Sequence, residues 1–322
     1  MEYKLLGNTG IRVSPLCMGT MTFGNGADEK TSAALFNRCR EAGINFFDCA
    51  NVYAKGRSEE ILGKLITPCR DEIVLTTKFY GGMGADPNAR GASRFHIRQA
   101  LENSLRRLGT DRVDVYFVHH FPSNVSLEVM LRTLDELVRS GKALHIGASN
   151  FAAWQAAKAL GISALHNWHR VDVIQPMYNL VKRQAEVEIL PMAESENLGV
   201  ITYSPLGGGL LTGKYSREGE GDGRITANPM YTARYSYEEN FRIATAFTQF
   251  AKERGLSPVS LAVAWAGAHP AVTAPIIGAR SLEQLEPSLA ALEIDMTPEL
   301  YADVSALSPR PPLATDREDE RS

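Results

Sequence analysis

Cysteine is scarce. Cys17, Cys39, Cys49 and Cys69 all lie in the first quarter of a 322-residue chain and form no C-x-x-C pair. That spacing argues against a disulfide scaffold and against a zinc cluster, and leaves buried free thiols as the expectation. Excess charge is missing too. With 34 basic against 37 acidic residues, the formal charge is −3, so no overall field favours nucleic acid or an anionic bilayer. Long apolar runs are also absent: the N-terminus MEYKLLGNTG has no apolar core, and the most apolar stretch, 261–279, is broken by His269, Pro270 and Pro275. The reading is a soluble, cytoplasmic protein with no nucleic-acid or membrane partner. Composition leaves open whether it forms a homo-oligomer.

What is present is an apolar content of 44%, enough to fill a sizeable core. Eight short apolar runs recur: SPLCMG (14–19), NFFDCA (45–50), EIVLTTK (72–78), DVYFVH (114–119), ALHIGAS (143–149), DVIQPMY (172–178), GVITYSP (199–205) and APIIGA (274–279). They do not alternate polar with apolar, as parallel strands covered on both faces should not. Between them, helices are predicted over 29–42, 58–66, 93–108, 127–140, 152–160, 182–197, 240–254 and 281–291. In 93–108 the residues Ile97, Leu101, Leu105 and Leu108 form one apolar stripe, with Ser93 placed to cap the helix and Gly109 to end it.

Eight βα units predict an α/β fold of the (β/α)8 TIM-barrel type, since no Pro- or Gly-rich stretch divides the chain in two. One domain is expected over 1–315, preceded within it by a hairpin over 1–13 turning at Gly7-Asn8-Thr9-Gly10 and covering one barrel end. The charged tail DREDERS, 316–322, lacks apolar anchors and is expected to fray. Two long Gly-rich loops, 79–92 and 206–239, are expected to serve function.

Barrels of this type place their chemistry at the carboxyl ends of the strands. Here Asp48 closes the second run with Tyr53 five residues on, Lys78 closes the third and His119 the fourth, while Ser149, Gln175, Tyr203 and Gly278 mark the next four. Singly, each has a structural explanation: a turn cap, a loop aromatic, a solvated ammonium, a core histidine. Jointly they converge on one mouth and offer proton transfer beside a carbonyl. A phenol has a free pKa of about 10, and a neighbouring ammonium such as Lys78 would lower it. Asp48 would be the counter-ion, and His119 would orient the carbonyl oxygen. A lyase using Lys78 as a Schiff-base nucleophile is the rival chemistry, but it needs a neutral amine, which Asp48 opposes. The stretch GGLLTGK at 208–214 matches part of a nucleotide P-loop, yet Tyr215 stands where Ser or Thr would ligate magnesium.

The blocks LGNTGIRVSPLCMGT, FFDCANVYAKGRSEEILGKLI, SLRRLGTDRVDVYFVHH, IGASNF, QPMYNL, YSPLGGGLLTGKY and PIIGARSLEQL together resemble the aldo-keto reductases over nearly the whole chain. The resemblance implies a catalytic tetrad of Asp48, Tyr53, Lys78 and His119, with Tyr53 as general acid in the reduction of aldehydes or ketones. His120 occupies a site where relatives often carry Trp. NADPH is the implied cofactor. Ser149, Asn150 and Gln175 match positions that hold the nicotinamide carboxamide, and Tyr203 matches the aromatic beneath the ring. Gly19, Thr20 and Met21 match a segment beside the cofactor. Ser204, Pro205, Leu206, Gly208 and Leu210 match the loop over the pyrophosphate, where small residues admit backbone N–H groups. Lys214, Arg224 and Arg280 are the implied phosphate-side cations, with Arg280 on the 2′-phosphate. Gln284 is the implied adenine-side contact, and Gly278 belongs to the same set. Ser288, after Pro287, departs from the Asn often found there. The implied partner is a small-molecule carbonyl substrate, and Phe23, Tyr80, Phe121 and Trp154 are candidates for its pocket. A cofactor-binding sensor with little turnover is the alternative from another class.

Overall fold

The structure is a computed structural model that describes residues 1–215, 223–317 and 319. Strands β1 (Lys4–Leu5) and β2 (Arg12–Val13) form the expected antiparallel hairpin. The next eight are β3 (Cys17–Gly19), β4 (Phe46–Asp48), β5 (Val74–Phe79), β6 (Val113–Val118), β7 (Ala143–Ser149), β8 (Val171–Gln175), β9 (Gly199–Thr202) and β10 (Ala274–Ile277). They pair in parallel in chain order and close into a barrel, with β10 bonded to both β9 and β3. Each of the eight apolar runs supplies one barrel strand, so the (β/α)8 expectation is met.

Helices α1 (Glu29–Glu41), α2 (Arg57–Ile66), α3 (Arg94–Leu108), α4 (Leu127–Arg139), α5 (Ala153–His166) and α6 (Ile189–Ser195) alternate with the strands up to β9. Between β9 and β10 lie α7 (Arg224–Ala227), α8 (Pro229–Tyr235), α9 (Glu238–Glu253) and α10 (Pro258–Ala268). The chain then adds α11 (Leu282–Leu289) and α12 (Pro298–Ser305). As predicted, the Ser93 hydroxyl accepts from the His96 N–H at 3.2 Å, and Gly109 ends α3 at φ 63°. Among the described residues no helix is long and apolar enough to cross a membrane.

The departures have local causes. The segment 182–197 is a 3-10 turn, Gln184–Glu186, followed by α6. Pro191 lacks an N–H and is accommodated without a lost hydrogen bond in the first turn of a helix, which favours the late start. α5 runs past 160 through Gly161 to His166, where Asn167 stops it at φ 52°. α10 is apolar on every face, so it offers no stripe to read. α12, which no expected helix covers, begins at the cap Thr297 and Pro298. The expected 206–239 loop carries a 3-10 turn, Gly207–Thr212, together with α7 and α8, and residues 216–222 of it lie outside the described residues. The expected fraying of 316–322 falls mostly outside them as well.

Two apolar layers hold the barrel. Its lower interior is filled by Cys17, Phe46, Val74, Val115, Phe117, Val173, Ile201 and Ala274, and Leu6 and Val13 of the hairpin pack into the same cluster. That cluster closes the N-terminal end of the barrel, as the sequence suggested. Gly147 is required there: a Cβ on it would stand 2.4 Å from the Phe117 ring. The larger layer lies between strands and helices. Cys17, Cys39 and Cys49 are buried free thiols, whereas Cys69 is only half-buried, which corrects the expectation for that residue.

Candidate active site

Strand register brings the titratable residues together. Asp48 pairs with Thr76 across β4 and β5, and the period-2 alternation of a strand puts Thr76 and Lys78 on one inward face. Lys78 is fully buried. Its Nζ lies 2.5 Å from Asp48 Oδ2, donates to the Cys49 carbonyl at 2.7 Å, and reaches the Tyr53 hydroxyl at 3.4 Å. The other carboxylate oxygen, Asp48 Oδ1, accepts from Thr76 Oγ1 at 2.7 Å and from Gln175 Nε2 at 3.0 Å. Three donors therefore satisfy a carboxylate that would be costly to bury alone.

Tyr53 opens a turn in which Ala54 and Lys55 take left-handed φ angles of 47° and 54°. The turn leads into α2, with the phenol beside Lys78. The His119 ring stands edge-on to Tyr53, with centroids 6.1 Å apart, and stacks on His120 at 5.1 Å. The four residues Asp48, Tyr53, Lys78 and His119 thus meet at the carboxyl end of the barrel.

Burial dominates the electrostatics. It pushes the Tyr53 phenol up to about 12, and the nearby Lys78 ammonium offsets this only in part. The expected lowering by the ammonium is present but outweighed. Burial alone would favour a neutral Lys78 amine, yet the Asp48 carboxylate overrides it and holds the pKa above its ordinary value. Burial, with Lys78 and His120 adding to it, drops the His119 imidazole to about 2. At neutral pH the site holds a neutral phenol, an ammonium and a neutral imidazole.

Beside these four lies a connected polar patch. Ser149 Oγ donates to the Gln175 carbonyl at 3.0 Å. Asn150 Nδ2 donates to the His119 carbonyl at 2.9 Å, and the Tyr203 hydroxyl donates to Asn150 Oδ1 at 2.7 Å. Both the backbone N–H and the hydroxyl of Thr20 donate to the Asp48 carbonyl, so Gly19 and Thr20 are packed against the site, while Met21 is exposed. Asn179 Nδ2 donates to the Ser204 carbonyl at 2.9 Å, fixing the loop that leaves β9. In that loop Gly207, Gly208 and Gly209 adopt φ angles of 57°, 68° and 96°, which other residues rarely adopt.

Farther out, the Lys214 side chain lies over Gly209, where a Cβ would fall 3.0 Å from its Cε. Arg280 lies over Gly26, and its backbone N–H donates to Gln284 Oε1 at 3.2 Å. Gly278 is exposed just beyond β10. Phe23 and Leu210 are core residues and Pro205 is buried, as is Ser288, the departure noted in the sequence. Leu206 is half-buried against the core. The Arg224 side chain lies outside what the structure describes. Sequence reasoning missed Thr76 and Asn179; neither carries a local signal, since Thr76 acts through its register opposite Asp48 and Asn179 through the loop it fixes.

Amide and hydroxyl groups next to the proton-transfer residues, an aromatic ring at the mouth, a bare-backbone loop and two outlying cations fit an amide-bearing aromatic ring carrying a phosphate chain. The family described as "Aldo/keto reductase family" matches residues 15–309. The chain is 39% identical to an uncharacterized oxidoreductase, YrpG, of Bacillus subtilis over 97% of both chains. It is 36% identical to a probable voltage-gated potassium channel subunit beta of Oryza sativa subsp. japonica, over 98% of this chain and 99% of that one. It is 31% identical to the versiconal hemiacetal acetate reductase of Aspergillus parasiticus, over 93% and 94%.

Proposed function

The chain belongs to the aldo/keto reductase family, and on that footing we propose that it reduces aldehydes or ketones to alcohols with NADPH, using Tyr53 as the proton donor. The observation that carries this reading is the buried Lys78 ammonium set between Asp48, at 2.5 Å, and the Tyr53 hydroxyl, at 3.4 Å. When bound, the reduced nicotinamide supplies the hydride. Tyr53 gives its proton to the carbonyl oxygen, and Lys78 stabilises the phenolate left behind. Asp48 keeps the ammonium charged and in place. The neutral His119 directs a ring N–H to the carbonyl oxygen and so orients it. The same Asp48–Lys78 pair works against a Schiff-base lyase, because it holds the amine protonated.

Ser149, Asn150 and Gln175 would hold the nicotinamide amide and Tyr203 its ring face. Lys214 and Arg280 would meet the phosphates, with Arg280 favouring the 2′-phosphate form. The test is oxidation of NADPH and of NADH, followed in parallel with a panel of aromatic and aliphatic aldehydes. Steady NADPH turnover with several aldehydes supports the reading. The likeness to proteins named as channel subunits keeps a second reading, a nicotinamide-binding sensor. Tight NADPH binding without turnover across the panel would favour it.

A further inference from the structure

A guanidinium that the site described above does not use stands at its mouth. Arg234 lies on α8, which is fixed firmly: Asn228 Oδ1 caps it by accepting from the Met230 N–H at 3.0 Å, and the Tyr235 ring is fully buried. The Tyr235 hydroxyl is held by Asn179 Nδ2 at 3.3 Å, the same amide that binds the Ser204 carbonyl. The Tyr231 and Tyr235 rings stack on each other and press on Gly208, where a Cβ would come within 2.9 Å of Tyr231. α8 is therefore locked to the loop that follows Tyr203.

On this support Arg234 is half-buried, with its guanidinium 6.0 Å from the Tyr231 ring centre. Its charge acts on two residues at the rim. After burial it is the main influence lowering the His120 imidazole, and it opposes the effect of burial on the Tyr203 phenol. His120 in turn stacks on His119. The buried arginine Arg183, by contrast, is matched in bidentate fashion by Glu186 at 2.8 and 2.9 Å. No carboxylate pairs with Arg234 among the described residues. A partly buried guanidinium with no anion beside it among the described residues presents an open half of a charge-assisted fork. Across the rim, Phe121 packs on Trp154 at 5.8 Å, and Tyr80 lies against His120 at 5.6 Å, giving an aromatic lip for an apolar body.

We propose that Arg234 binds a carboxylate on the substrate, so that the preferred substrates are carbonyl compounds bearing an acid group, aryl aldehydes with a carboxylate among them. This rests on the carbonyl-reductase reading. The experiment compares 4-carboxybenzaldehyde with its neutral methyl ester, methyl 4-formylbenzoate, in the wild type, in Arg234→Gln and in Arg234→Lys. It records kcat and KM, the equilibrium binding of each compound, and NADPH affinity. The acid is expected to be preferred by the wild type, and the acid-over-ester ratio of kcat/KM to fall about 10- to 100-fold in Arg234→Gln, as for loss of a hydrogen bond to a charged group. The loss should appear mainly in KM, because the contact binds ground and transition states alike, and the lysine variant should restore part of it.

Equal handling of acid and ester by the wild type, or a loss of NADPH affinity that accounts for the whole effect of Arg234→Gln, would overturn the proposal and leave carbonyl reduction standing. No turnover of either compound, nor of any aldehyde in the panel above, would overturn the reductase reading instead. The binding comparison then decides on the carboxylate site by itself, selective binding of the acid that Arg234→Gln abolishes supporting it and equal binding refuting it.

Discussion

Gln175 reaches across the barrel from the end of β8 to Asp48 at the end of β4, its Nε2 donating to Oδ1 at 3.0 Å. One amide therefore joins the patch assigned to the nicotinamide and the carboxylate that holds Lys78. Loss of Gln175 should affect both ends of that link. Gln175→Leu is expected to weaken NADPH binding and to lower kcat in the same variant, whereas a residue serving the cofactor alone would change only the first. Fluorescence titration with NADPH and single-turnover kinetics separate the two effects.

Tyr53→Phe removes one oxygen and little else. It should bind NADPH as the wild type does and lose a factor of about 10² to 10⁴ in the rate of carbonyl reduction, the usual size of general acid catalysis. Turnover at the wild-type rate would remove Tyr53 from the role of proton donor.

The pH dependence follows from the shifts. Tyr53, at about 12, stays protonated across the neutral range, so reduction should show no fall from its deprotonation between pH 6 and 9. Alcohol oxidation, which needs the phenolate, should rise with pH throughout that interval. His119 stays neutral down to about 2 in place of its ordinary 6.5, so the rate should show no step near pH 6.5 from this group. Its effect on stability has the opposite sense from a paired histidine. Below 6.5 the unfolded chain takes up a proton there that the folded chain refuses, so this contribution to stability declines as the solution is acidified. Rate profiles and denaturant midpoints measured from pH 4 to 9 check both statements.

Asp48→Asn breaks a pair that is buried on both sides, with Lys78 0% and Asp48 3% exposed at the side chain. Removing one partner of such a pair costs about 3–5 kcal/mol, because the remaining charge has lost its compensation. The variant should unfold at a lower denaturant concentration as well as losing activity. Equilibrium unfolding in urea measures the first effect independently of the second.

Gly147→Ala tests the lower barrel. Its Cβ would meet the Phe117 ring at 2.4 Å, and overpacking of this kind typically costs about 1–3 kcal/mol. Combined with Phe117→Leu, the alanine should cost less than it does alone. A double-mutant cycle on unfolding free energies reports the coupling.

The barrel was legible because each strand is a short apolar run and most of the seven crossovers between them carry a helix with an apolar stripe or a cap. Legibility failed where a helix had no polar face, as in α10, and where proline shifted a start, as in α6. In the site, the strand-end positions of Asp48, Lys78, Ser149 and Gln175 could be read from spacing alone. Thr76 could not, since its role depends on which residue of β4 lies opposite it. That register is set by barrel closure and not by any local signal. Arg234 was missed for a similar reason: only the packing of α8 on Gly208 brings it to the mouth.

The hairpin plug at the floor of the barrel has a kinetic corollary. With Leu6 and Val13 sealing the far end, whatever reaches Lys78 and Tyr53 enters and leaves through the doorway at the opposite, carboxyl end. A large molecule lying across that doorway must arrive before a small one seated above it and depart after it. Product inhibition should accordingly reveal a compulsory order of arrival, with the dinucleotide first in and last out.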